Sequence, residues 1–464
     1  MVPESSVPEG VLEVFLMGGL NPWDTFYAVP DHGRPEAGGP YAGQQWWTWQ
    51  EGEDSVPDVF ARCGGEGYDL LAPIGLDAAG KQVNLGPWVY PLRDRPDILS
   101  RMRIHVVAHD NEPHEAAAPL MLGGQPRGTP RMCSTGAHVQ RFWQEREPLR
   151  TAPFSYVLYP GSHFVAGFNV ESAFAVGTHP GRVQPLAVQI APDNPLSAQL
   201  SRSRLGGRHT QMDAAIEHYL NRYGAAYANG PAARELEQYR FARAAMQNAG
   251  ELQSLLTADA LAMASGASCG FDDGLDVTGT GLRLGAHLLT SDAHRARYVH
   301  VVDSGLYEAQ DGGYDTHRHH VRDTSRNTVH LCRKLAAIIN EPGENDPRKV
   351  DLDRHQILLT TEMGRTPFPE LGNIRGLNHW PYGFVVMSIG GPGSQNRAQV
   401  SGAIGEDGRA TIGTSPAEFR AAMLLSQGIW PFSPESFAVS DVRGATTELE
   451  AALILRERVL GFPA

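Results

Sequence analysis

Val11-Leu-Glu-Val-Phe-Leu-Met17, followed at once by Gly18-Gly19, is the stretch from which the fold can be read. Apolar and β-branched side chains dominate it, it is too short for a stable helix, and a glycine pair stops it. It reads as a central strand whose C-terminal end opens into a polar loop. Similar runs recur along the chain. Ile104-His-Val-Val-Ala-His109, Phe154-Ser-Tyr-Val-Leu-Tyr159, Tyr298-Val-His-Val-Val-Asp303, Gln356-Ile-Leu-Leu-Thr-Thr361 and Phe384-Val-Val-Met-Ser-Ile389 all read as buried strands.

Between these runs lie stretches with helical spacing, at 282–297, 324–340 and 417–428. Strands alternating with helices predict an α/β fold, a mainly parallel central sheet sandwiched by helices. The pattern changes over 195–265, where Ala, Arg and Glu recur with helical spacing, as in Arg234-Glu-Leu-Glu-Gln-Tyr-Arg-Phe-Ala. We read this as a helical insertion within a single domain spanning 9–464. Residues 30–65, rich in Gly, Pro and Trp (Trp46, Trp47, Trp49), have no period and read as an excursion over the sheet edge. The Trp cluster there is a packing plug rather than a ligand platform.

Composition narrows the function. The 464 residues carry a net charge of −13 and no Lys/Arg cluster, which argues against a nucleic-acid partner. No apolar run is long enough to span a bilayer. Residues 1–6 show no signal peptide, so the expected location is cytoplasmic as the chain stands, or periplasmic or exported if a leader has been removed. Cys63, Cys133, Cys269 and Cys332 are scattered without a CxxC pair. Buried free thiols are the expectation, with one or two disulfides as the alternative.

Ligands of open α/β sheets sit beyond the C-terminal ends of the strands. Asn21 and Asp24 follow the first strand; His109, Asp110 and His114 follow the second. Asp315, His317, His319 and His320 follow Asp303, and Glu362 and Arg365 follow Thr361. Asn378-His379-Trp380 precedes the strand at Phe384. Asp, Glu and His gathered at strand ends suit a divalent cation, whether zinc, calcium, magnesium or manganese. Arg365 beside them would either grip an anion bidentately or pair with a nearby acid. Gly279-Thr-Gly281-Leu-Arg-Leu-Gly285 imitates a dinucleotide loop. Residues 272–278 before it form no buried strand, so the glycines are a loop signal only.

Four ordered elements carry a family resemblance: Val14-Phe-Leu-Met-Gly-Gly with Trp23-Asp24-Thr-Phe, Gly313-Tyr-Asp-Thr-His317, Glu362-Met-Gly-Arg-Thr-Pro367, and Asn378-His-Trp380. Together they resemble the bacterial "domain of unknown function 1501" family, placed in the alkaline phosphatase and sulfatase superfamily. The resemblance runs through nearly the whole chain, though 195–265 and the Trp-rich loop match poorly. It implies an alkaline phosphatase-like fold with a metal site cleaving phosphate or sulfate esters, from an anionic small molecule or a glycan. It also implies Asp24, Asp315, His317 or His319, Glu362 and His379 as metal ligands. An Asp-x-His and an Asp-x-x-x-His spacing both start at Asp315, and the choice between His317 and His319 stays open.

Two departures matter. Catalytic superfamily members carry a Ser, Thr or modified Cys at a helix start, whereas 109–124 here contains none of these. Asp110 would then serve as ligand or base, His114 would protonate a leaving group, Arg365 would hold the anion, and metal-bound hydroxide would replace the side-chain nucleophile. Family members commonly carry a twin-arginine export signal, and this chain shows none. Two functions follow: a metal-dependent ester hydrolase, or a non-catalytic relative that binds a ligand or protein through the same cleft.

Overall fold

The computed structural model describes residues 7–33, 46–48, 55–129, 133–146, 156–159, 186–187, 208–228, 265–291, 296–306, 313–370, 373–395, 399–434 and 436–462. Eight strands form the central sheet: β1 (Gly10–Leu16), β4 (Met102–Val107), β5 (Tyr156–Tyr159), β6 (Leu186–Ala187), β9 (Tyr298–Asp303), β10 (His355–Thr361), β13 (Phe384–Gly390) and β14 (Gln399–Ser401). The remaining described strands make four hairpins. These are β2 (Ala72–Leu76) with β3 (Gln82–Leu85), β7 (Ser265–Ser268) with β8 (Phe271–Leu275), β11 (Gly364–Glu370) with β12 (Asn373–Trp380), and β15 (Ala403–Ile404) with β16 (Ala410–Ile412). The helices are α1 (Val56–Arg62), α2 (Pro96–Leu99), α3 (His114–Gly123), α4 (Thr135–Arg146), α5 (Arg208–Ala228), α6 (Val277–Thr290), α7 (His320–Ala337), α8 (Pro416–Ser426) and α9 (Glu448–Arg458).

The sheet order is β14-β4-β13-β10-β1-β9-β5-β6. Every pairing is parallel except those of β13, which runs antiparallel to both β10 and β4. The protein is therefore mixed α/β with a mostly parallel sheet between helices. All seven residues of β1 are buried, as a strand covered on both faces requires. Leu12, Val14 and Leu16 point into one core with Leu282, Leu288 and Leu289 of α6 and Leu331 and Leu335 of α7. Val11 and Phe15 point into the other, with Met121 of α3, Phe419 and Met423 of α8 and Leu455 of α9.

Several sequence expectations shift. The helix predicted over 282–297 is α6, which starts at Val277, so Gly279 and Gly281 lie inside it rather than in a loop. Asp276 caps it through a 2.7 Å bond from Gly279 N–H. The preceding residues do form a strand, β8, but only in a hairpin with β7. The turn expected after Thr361 is the hairpin β11/β12, whose register shifts accommodate Pro367 and Pro369 and break the period that marks strands. Within 195–265 the structure describes α5 and the first residue of β7; the rest, including 234–242, lies outside the described residues, as does Trp49. Trp46 packs edge-on against Trp23 at 4.6 Å, the plug role expected of it.

The buried-thiol expectation holds for Cys133 and Cys332 and fails for the other pair, since Cys63 and Cys269 form a disulfide. Both lie in a third core with Trp88, Tyr90, Val321 and Leu377, where folding brings together partners 206 residues apart.

Candidate metal centre

β1 ends in two glycines with φ of 113° and 97°, values that favour glycine. The turn they make aims Gly18 N–H at Glu362 Oε1, 2.7 Å away, just past the end of the neighbouring β10. On the other flank, after β9, Tyr314 N–H reaches Met17 O at 3.0 Å and sets the following residue, Asp315, over the same strand end. Leu377 N–H of β12 bonds Thr316 O at 2.9 Å, docking the β11/β12 hairpin onto this loop. Arg365 and His379 are cross-strand partners in that hairpin. His114 is the first residue of α3, beyond the end of β4.

These elements converge four side chains. His317 Nε2 and His379 Nε2 lie 3.0 Å apart. His317 Nε2 is 3.1 Å, and His379 Nε2 3.7 Å, from Asp315 Oδ1. His114 Nε2 approaches Asp315 Oδ2 to 3.5 Å and is buried without a hydrogen-bond partner. The rings of His114 and His379 meet edge to face, centroids 4.4 Å apart. Ligand atoms of His114, Asp315 and His379 all fall within 4.8 Å of one another, the spread expected of a shared cation.

Behind these atoms stands a layer that orients them. His114 Nδ1–H donates to Glu362 Oε1 at 2.8 Å, and His317 Nδ1–H donates to Glu370 Oε2 at 3.1 Å. In each case Nε2 is the ring nitrogen turned inward, the arrangement by which carboxylates align metal-binding imidazoles. Asn111 N–H bonds His109 Nδ1 at 3.1 Å, so His109 Nε2–H donates to Glu362 O at 2.7 Å and anchors that residue's backbone.

Charge follows from this packing. Burial works against an ionised Asp315, but the Arg365 charge and the neighbouring imidazoles of His114, His317 and His379 hold its carboxyl far below the usual range. Burial lowers the His114 pKa, yet the carboxylates of Asp315 and Glu362 outweigh it and raise the value to about 9. Burial, with the Arg365 charge, lowers that of His379 against the pull of Asp315.

Several expected residues sit elsewhere or play other parts. Asp24 is fully buried outside this group; its carboxylate is taken by Asn21 Nδ2 (2.7 Å), Trp88 Nε1 (2.9 Å) and His320 Nε2 (2.8 Å). His320 in turn accepts Thr316 and Thr324 hydroxyls at 3.1 Å. His319 stands at the N-cap of α7, half-buried. Asp110 is exposed, bonded to Asn111 Nδ2 at 3.3 Å. Glu362 accepts from the outer nitrogen of His114, Nδ1, and from Gly18 N–H, so it stands behind the cluster rather than among its inward atoms.

Arg365 pairs with an acid, the second of its two expected roles, and the acid is Asp315. Its guanidinium is fully enclosed and also donates to Gly18 O, Gly19 O and Leu377 O. It has no face left for a substrate anion. Sequence reasoning missed Glu370 altogether, because a lone acid at the end of an irregular strand carries no pattern. No protein-family model and no curated protein matches this chain.

Proposed function

We propose that the protein is a metal-dependent hydrolase of phosphate or sulfate esters that works without a side-chain nucleophile, on an alkaline phosphatase-like fold. The observation that carries this reading is the convergence of His114, His317, His379 and Asp315 at parallel strand ends, with Glu362 and Glu370 behind two of the imidazoles. A divalent ion bound there would supply Lewis acidity to an ester oxygen and acidify a water molecule. The chain's own residues have separate tasks. Arg365 keeps Asp315 ionised, Glu362 fixes the His114 tautomer, and the His109 bond holds Glu362 in place. His114 opens α3, and on the alkaline phosphatase-like reading a nucleophile would stand at this helix start, so its absence there supports a mechanism that dispenses with one.

The enclosure of Arg365 favours a second reading, a non-catalytic relative that binds a ligand in the same cleft, since the expected anion grip is already spent. Turnover decides between them. Purified protein assayed on aryl phosphate, phosphodiester and sulfate esters should hydrolyse at least one. His379→Ala and Glu362→Gln should each lower that rate by about 10²-fold or more, the scale of losing a group tied to transition-state charge. Inactivity of the metal-loaded wild type across the panel would leave the binding reading standing.

A further inference from the structure

We infer that the centre is a mononuclear zinc-class site of three imidazoles and one carboxylate, with His114, His317, His379 and Asp315 as ligands and Glu362 and Glu370 as positioning residues. This rests on reading the cluster as a metal site, and goes beyond it by fixing the kind and number of ions.

Donor chemistry decides the kind. Calcium and magnesium take six or more oxygens, supplied by carboxylates, carbonyls and waters. Here the inward atoms are three Nε2 nitrogens and Asp315. The other two nearby carboxylates, Glu362 and Glu370, are turned toward imidazole Nδ1 protons instead. Imidazole suits late, borderline ions such as zinc. Spacing agrees: ligand atoms about 2.0–2.1 Å from a tetrahedral zinc lie about 3.3 Å from one another. Four of the six separations are 3.0, 3.1, 3.5 and 3.7 Å, near that value; His114, Asp315 and His379 lie mutually within 4.8 Å, and His317 joins them through Asp315 and His379. His114 Nε2 is buried, 3.5 Å from Asp315 Oδ2 and short of hydrogen-bond geometry, and is the atom such an ion would satisfy.

The other buried acids at these strand ends decide the number. A second ion would need further carboxylates; among the described residues the other buried acids at or beyond the ends of β1 and β9 are Asp24 and Asp303. Asp24 is consumed by Asn21, Trp88 and His320. Asp303 accepts Thr278 Oγ1 (2.6 Å), Gly305 N–H (2.8 Å) and Tyr314 OH (3.0 Å).

The test is metal stoichiometry by mass spectrometry and zinc affinity by chelator competition on the full chain, with cobalt(II) substitution to read coordination. Expected are one zinc per chain, retained against a thousandfold excess of magnesium or calcium, and a visible cobalt band of four-coordinate strength. Glu370→Gln should weaken zinc by about 10–100-fold, the usual effect of removing a carboxylate behind a ligating imidazole. His317→Ala, which removes a side chain that is 32% exposed, should lose the cobalt band while keeping the wild-type circular dichroism. Two ions per chain, displacement of zinc by magnesium or calcium, or unchanged zinc affinity in folded His317→Ala would overturn the inference. Ester hydrolysis that requires magnesium or calcium would overturn it and leave the hydrolase reading intact. One tightly held zinc without turnover would do the reverse.

Discussion

At Gly18 a single hydrogen atom in place of a side chain decides whether the centre can assemble. Its φ of 113° is strained for any other residue, and an added Cβ would lie inside contact distance of the Asp315 backbone nitrogen. The same residue's N–H holds Glu362. Gly18→Ala should therefore cost about 2–4 kcal/mol in stability, from positive-φ strain plus overpacking. It should also reduce bound metal, because Asp315 and Glu362 are both displaced. Denaturant unfolding and metal content of the variant check the two effects separately. Retention of full metal content would show that Glu362 is positioned by other means.

At the scale of the element, β1 contains a charge that its surroundings should reject. Glu13 lies in the middle of an otherwise apolar, fully buried strand. It survives because Arg420 of α8 donates to Oε1 at 2.6 Å, Thr360 Oγ1 to the same oxygen at 2.6 Å, and Tyr298 OH and His300 Nδ1 to Oε2 at 2.5 and 3.1 Å. Burial opposes ionisation, but the charges of Arg420 and His300 hold the Glu13 pKa far below its ordinary 4.5. A depressed carboxylate pKa contributes stability that is present above 4.5 and lost as pH falls below it. Arg420→Met leaves the carboxylate buried with weaker support and should cost about 3–5 kcal/mol near neutral pH. In that variant burial raises the Glu13 pKa, so the deficit should shrink as pH falls through the carboxylate range. Urea melts of both proteins at several pH values test this; a deficit independent of pH would mean that the loss is packing alone.

For the whole molecule, the Cys63–Cys269 disulfide ties α1 to the β7/β8 hairpin within the core that also contains Trp88 and Leu377. Trp88 holds Asp24, and Leu377 O accepts Arg365. A cross-link spanning 206 residues restricts the unfolded chain, and its removal should cost about 2–5 kcal/mol. Cys63→Ser with Cys269→Ser should lower the thermal midpoint while leaving the proposed zinc stoichiometry at the wild-type value, because none of His114, Asp315, His317 and His379 belongs to that core. Loss of the metal at a temperature where the variant is still folded would show that this core also sets the ligand geometry.

The sequence by itself determined the sheet and the neighbourhood of the centre. Strand-length apolar runs ending in polar residues are local signals, and they located Asp315, His317, Glu362, Arg365, His379 and His114 at strand ends. The irregular β11/β12 hairpin escaped the same reading because two prolines and its bulges erase the period. What each residue does was decided only by the tertiary structure. Asp24 and Asp315 look alike in sequence, but one meets Trp88, Asn21 and His320 and the other meets three imidazoles and Arg365. Glu362 orients a histidine instead of joining the cluster, and Arg365 is spent inside the protein. The reason is physical: a carboxylate's or imidazole's role depends on which buried partners meet it, and those partners come from elements up to 407 residues away, as Arg420 does for Glu13. Periodicity places a residue at an edge; only packing chooses its neighbour.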